Sequence, residues 1–187
     1  MGSEIARKHP ALPFLNEKIR IMSIFLALPV LGIALMIQTG IISWINLLSG
    51  GADLIMAILV TWSLQDRVKT SWYWAVTAGL MVGYVSGLPW YIPLAGYLLV
   101  VGAGRLMHRR VWQAPLLATF VVIFIGTFGM HLLTFGYLIL TGSSFQFGDV
   151  ISLIVLPSTL LNWLLVIPVY YLIKDLANWV YPLEVNI

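Results

Sequence analysis

Ionisable side chains are scarce in the apolar parts of this chain, so the few present carry its chemical possibilities. Asp53 and Asp149 each stand at the start of a long apolar run, and His131 lies deep inside another. An aspartate that opens a helix accepts from free backbone N–H groups and meets the positive end of the helix dipole. Capping is the expected role for both. His131 has no His, Asp or Glu three or four residues away, so the helical ligand pair of a metal site is missing and zinc would lack its set. Packing with one interhelical hydrogen bond is expected of it.

A nucleophile is the next possibility. Gly83-Tyr84-Val85-Ser86-Gly87 resembles the Gly-x-Ser-Gly motif of intramembrane rhomboid proteases, but Tyr84 stands where the spacing needs Gly. His131 would have to serve as base from a different span, and no orienting group accompanies the pair. Gly79, Gly83 and Gly87 recur every fourth residue, which puts all three on one helix face. Such a small-residue stripe lets a second backbone approach closely and favours helix association in lipid. No phosphate-cradling loop, dinucleotide fingerprint or metal-ligand cluster occurs. Catalysis, a cofactor, a metal and nucleic acid as partner are therefore not expected.

The most patterned stretch runs from Leu156-Pro157 through Asn162 to Pro168, Tyr170 and Lys174. Two prolines interrupt the hydrogen-bond ladder, so kinks are expected there. Asn162, between them, can bond freed carbonyls or a neighbouring helix.

The elements that must position these residues follow from composition. Of 187 residues, 60% are hydrophobic and 9% charged, against about 25% charged in a soluble domain. A soluble enzyme and a disordered chain are both excluded. The absence of Cys removes disulfides and thiolate chemistry. Residues 21–52, 54–65, 70–104, 111–148 and 150–173 carry no Lys, Arg, Asp or Glu. A span needs about 20 apolar residues, and the Pro-containing segment 87–93 divides the third stretch. The expected fold is therefore an all-α integral membrane protein of six transmembrane helices, about 20–39, 51–66, 71–88, 91–107, 113–140 and 150–176, in one domain (20–176). A cytoplasmic N-terminal segment (1–19) and C-terminal tail (177–187) flank it. Ile41–Leu48 reads as a short interfacial element.

Charge supports that count. Arg7, Lys8, Lys18, Arg20, Arg67, Lys69, Arg105, Arg109, Arg110 and Lys174 all fall on segments that six spans would place on one side. Positive charge is retained on the cytoplasmic side, so both termini are expected inside. Trp44 and Trp90 then sit near the outer interface, and Trp62, Trp72, Trp74, Trp112 and Trp179 near the inner one, where indole rings prefer to lie. Only Trp163 falls mid-span. No cleavable signal peptide is expected, since no apolar core precedes Ile21.

From about residue 28 to 178 the chain resembles the MreD family, the small membrane subunit of the bacterial cell-elongation machinery. The residues that carry the likeness are Gln38-Thr39 closing the first span and Gly51-Ala52-Asp53-Leu54 opening the second. Gly79 and Gly83 then lead into a Pro-containing turn, followed by Gly96 and Arg105, and by Leu160-Leu161-Asn162 with Val166-Ile167-Pro168-Val169-Tyr170 and Lys174. The family often has Pro where this chain has Ala52, and Asp where it has Ser86 or Gly87. The resemblance implies a non-enzymatic scaffold of the bacterial inner membrane, with a fold similar to the substrate-binding subunits of energy-coupling-factor transporters. It implies MreC as direct partner, with RodA and a penicillin-binding transpeptidase in a larger peptidoglycan-synthesising complex and MreB reached indirectly. Gly79, Gly83, Gly87, Gln38, Asp53, Asn162, Pro168 and Tyr170 are the expected partner-binding positions, through lateral docking of a partner's transmembrane helix. The basic segment Arg105–Arg110 is expected to hold anionic lipid headgroups.

The rival reading is a substrate-binding subunit of a vitamin transporter of that kind. It needs an outer pocket with several orienting polar groups, for which Asp53, Asn46, Asp149, Gln146, Trp44, Trp90 and Tyr91 are available. Ala27 and Ala34 are seven apart, so the first span lacks a clear Ala-x-x-x-Ala pair for docking a coupling subunit.

Overall fold

A computed structural model describes residues 11–108 and 115–182, with side chains from residue 17 onward. Within them the chain forms α1 (Ala11–Gly40), α2 (Leu54–Ser63), α3 (Ser71–Val85), α4 (Tyr91–His108), α5 (Pro115–Leu140) and α6 (Phe147–Val180). A 3-10 turn, Ile42–Trp44, and a small antiparallel hairpin, β1 (Asn46–Leu47) with β2 (Gly50–Gly51), connect α1 to α2. The architecture is all-α apart from that hairpin. The interfacial element expected over 41–48 is thus a turn running into a hairpin.

A helix that is apolar on every side has no water-facing stripe and has to be enclosed. α2 is such a helix, and all ten of its residues are buried. It packs against α1, α3, α4, α5 and α6, so it is the post around which the bundle is assembled. Ten residues rise about 15 Å, half of the roughly 30 Å of a bilayer core. The expected span 51–66 is thereby corrected: Gly51 belongs to the hairpin, Asp53 caps the helix, and the chain turns after Leu64. Irregular backbone at membrane depth is tolerated where protein encloses it.

Three segments, Glu17–Trp44, Pro115–Leu140 and Phe147–Val180, are long and apolar enough to cross a membrane. Their outward side chains agree with that length and composition. Phe25 is 75% exposed, Met36 74% and Leu164 70%, a surface suited to lipid rather than water. The chain is a membrane protein. Among the described residues α1 is already helical from Ala11, well before the expected start near residue 20. Residues 14–20 include neither Gly nor Pro to break it.

Span six differs from expectation as well. Phe147–Val180 is a continuous helical stretch, with Pro168 inside it, and the deformation is concentrated in a π-helical segment, Val150–Val155, just before Pro157. The wider π turn makes room for the proline ring, which would otherwise press on the carbonyl four residues earlier. That carbonyl, on Leu153, accepts the Ser49 N–H of the hairpin at 3.1 Å. Gly50 fits beside it because a Cβ there would lie 2.6 Å from Ser158 N.

Trp62 and Trp74 lie toward the Arg67 end of the bundle, as expected, but are enclosed by it rather than facing outward. Both are fully buried, and their rings stack with centroids 4.2 Å apart. Neighbouring helices enclose both positions and bury their large apolar area. Trp44, Trp72, Trp90 and Trp179 are exposed, while Trp112 lies outside the described residues.

Candidate functional site

The first turn of any helix leaves backbone N–H groups without intrahelical partners, and at α2 other helices supply them. Asp53 is the N-cap, and its Oδ1 accepts the Met56 N–H at 2.8 Å. Gln38 of α1 clamps the same turn from both sides. Its Oε1 accepts the Leu54 N–H at 2.7 Å and its Nε2 donates to the Ala52 carbonyl at 2.7 Å.

A second layer comes from α4, α5 and α6. The Asp53 N–H donates to Asn162 Oδ1 at 2.6 Å, and Asn162 Nδ2 donates to Thr127 Oγ1 at 2.9 Å. Thr127 in turn contacts Met56 Sδ at 3.6 Å. The Tyr97 hydroxyl donates to Asp53 Oδ2 at 3.0 Å. Gly51 N–H donates to Ser158 Oγ at 3.2 Å. Asn162, Thr127 and Tyr97 are all buried. No ion pair reaches Asp53 among the described residues, so its carboxylate is balanced by hydrogen-bond donors and by the positive end of α2. The network ties α1, α4, α5 and α6 to the first turn of α2 and acts as a lock on it.

Three of the expected site residues, Gln38, Asp53 and Asn162, meet here. The others do not. Gly79 and Gly83 lie on the α3–α4 contact, where a Cβ would come within 2.6 Å of Leu94 Cα and 2.7 Å of Trp90 Cα, respectively. The close approach that the stripe permits is made by α4 of the same chain. Gly87 is not part of that stripe, because α3 ends at Val85 and nothing lies within 4 Å of a Cβ there. Pro168 is exposed on α6, and Tyr170 is buried toward the other end of the bundle.

Asp149 does not cap. α6 starts two residues earlier, at Phe147, and the Asp149 side chain makes no capping bond. His131 faces Phe128, Phe135, Phe147 and Val150 across a small gap. These apolar neighbours leave its expected interhelical hydrogen bond unmade among the described residues. Ser86 Oγ is buried without a hydrogen-bond partner, and no hydrogen bond joins it to His131.

At the opposite end from Asp53, arginines turn back onto the protein. Arg67 Nη1 donates to the Tyr181 carbonyl at 3.0 Å, and Arg105 donates to the Val68 carbonyl. Arg105 thus holds the α2–α3 turn. The remaining basic positions of that segment, Arg109 and Arg110, lie outside the described residues, as do Arg7 and Lys8. Ser23, Thr70 and Tyr181 complete this end through hydroxyl contacts of 2.6 and 3.2 Å, and Trp74 Nε1 donates to the Ser23 carbonyl at 3.0 Å.

Tyr97, Thr127 and Ser158 were not among the expected site residues. Their signal was present as polar groups within apolar spans, which in lipid need an internal partner. Nothing in their spacing named that partner. In comparisons with known proteins, no family model, curated protein or solved structure matches this chain.

Proposed function

We propose that this protein is a non-enzymatic scaffold of the bacterial cell-elongation complex, seated in the inner membrane and docking the transmembrane helix of MreC. RodA, a penicillin-binding transpeptidase and, indirectly, MreB complete the assembly. The observation that carries the reading is the convergence of Gln38, Asp53 and Asn162, three positions that underlie the MreD resemblance, on the first turn of α2. A fully bonded polar lock gives a rigid bundle, which suits a part that positions others.

In this reading the chain crosses the membrane six times with both termini inside, and α2 crosses with the help of its enclosed irregular flanks. Arg67 and Arg105 bind backbone carbonyls at one end, and the Asp53 lock lies at the other. That asymmetry is what retention of positive charge in the cytoplasm favours. Since α4 covers Gly79 and Gly83, a partner helix meets the exposed sides of α1, α5 and α6 instead.

Affinity purification from native membranes in mild detergent tests the proposal. Recovery of MreC with RodA and the transpeptidase supports it. Recovery of two ATPase subunits with a coupling membrane protein would overturn it in favour of a vitamin-binding subunit.

A further inference from the structure

The end of the bundle that carries Arg67 and Arg105 also holds a cavity of about 230 Å³, between the C-terminal ends of α2 and α4, the start of α5 and the last turns of α6. Gln65, Asp66, His108, Pro115, Tyr170 and Lys174 line it. Charges of both signs are present. His108 Nε2 lies 3.2 Å from Asp66 Oδ1, while Asp66 Oδ2 has no hydrogen-bond partner among the described residues. Lys174 makes no ion pair among them either. Gln65 Nε2 donates to the Thr61 carbonyl at 3.3 Å, which leaves its Oε1 as an acceptor.

Tyr170 is the informative residue. It is only 7% exposed, yet its hydroxyl has no hydrogen-bond partner among the described residues. The ring is covered, while the hydroxyl stays accessible on the side of the cavity that Tyr170 lines, free to donate to a ligand. Pro115, at the start of the described part of α5, lines the same space.

We propose that this cavity binds the phosphoethanolamine headgroup of a membrane lipid. The phosphate takes the Lys174 ammonium and the Tyr170 hydroxyl. The ammonium takes Asp66 Oδ2 and Gln65 Oε1. The space equals about seven to eight waters, the size class of one such group. A choline headgroup has no N–H to donate to Asp66, and a glycerol headgroup brings no positive charge. The inference stands apart from the scaffold reading and holds for either function.

Native mass spectrometry of the full chain, exchanged into mixtures of phosphatidylethanolamine, phosphatidylcholine and phosphatidylglycerol, tests it. Phosphatidylethanolamine is expected to be retained about tenfold over each of the others, a preference typical of two charge-assisted contacts. Lys174→Met and Asp66→Asn are exposed substitutions compatible with folding, and each is expected to abolish the preference. Tyr170→Phe should weaken it. Equal retention of the three lipids, or a preference that survives Lys174→Met and Asp66→Asn, would overturn the proposal. Stabilisation by soluble glycerophosphoethanolamine without retention of the lipid would overturn a lipid as the occupant.

Discussion

The Asn162 side-chain carbonyl accepts the backbone N–H of Asp53 at 2.6 Å, across 109 residues of sequence. Through that bond the middle of the last helix fixes the start of the most buried one. The Asn162 amide passes the constraint to Thr127 of α5. Replacing Asn162 by Leu leaves the Asp53 N–H and the Thr127 hydroxyl without these partners in a buried setting. A loss of about 1–2 kcal/mol is expected, read as a lowered midpoint in thermal unfolding in detergent. Thr127→Val removes only the second bond and should cost about 0.6 kcal/mol. Equal losses would mean that the bond to Asp53 adds nothing.

The glycines of α3 give a sharper contrast. Gly79 and Gly83 face α4 backbone, whereas Gly87 faces open space. Gly79→Ala and Gly83→Ala should each destabilise by about 1–3 kcal/mol, because backbone cannot move aside as a side-chain tip can. Gly87→Ala should leave stability unchanged. Thermal unfolding of the three variants side by side decides the matter, and loss at Gly87 would contradict the packing described.

Pro157 has no N–H for the Leu153 carbonyl, and Ser49 takes that place. Pro157→Ala restores a competing donor within the helix. Hydrogen exchange at the Ser49 amide should become faster, with the hairpin 46–51 loosening from α6. Unchanged exchange would show that the hairpin is held by other contacts.

The stacked tryptophans differ in one atom's fate. Trp74 Nε1 donates to the Ser23 carbonyl, while Trp62 Nε1 is buried without a partner. Both Trp→Phe changes lose ring volume, but only Trp74→Phe also removes a hydrogen bond, the one to the Ser23 carbonyl. Trp74→Phe should therefore cost about 1 kcal/mol more than Trp62→Phe, checked by denaturant or thermal unfolding. The reverse order would refute the assigned bond.

Much of this protein is legible without coordinates. The charge deficit requires a lipid-facing surface, uncharged runs locate the helices, and Asp53 before an apolar run announces a cap, because each depends on residues near one another in sequence. The same local logic misread Asp149 and did not foresee that Trp62 and Trp74 are enclosed. Whether an aspartate caps depends on where the helix starts, and whether an indole faces outward depends on which helices cover it. Tertiary structure alone decided that α2 would be a short enclosed post, that α4 would close over Gly79 and Gly83, and that Gln38, Asp53 and Asn162 would share one turn. In an apolar surrounding a buried polar group has to find a partner; sequence shows the need, and only packing selects the partner.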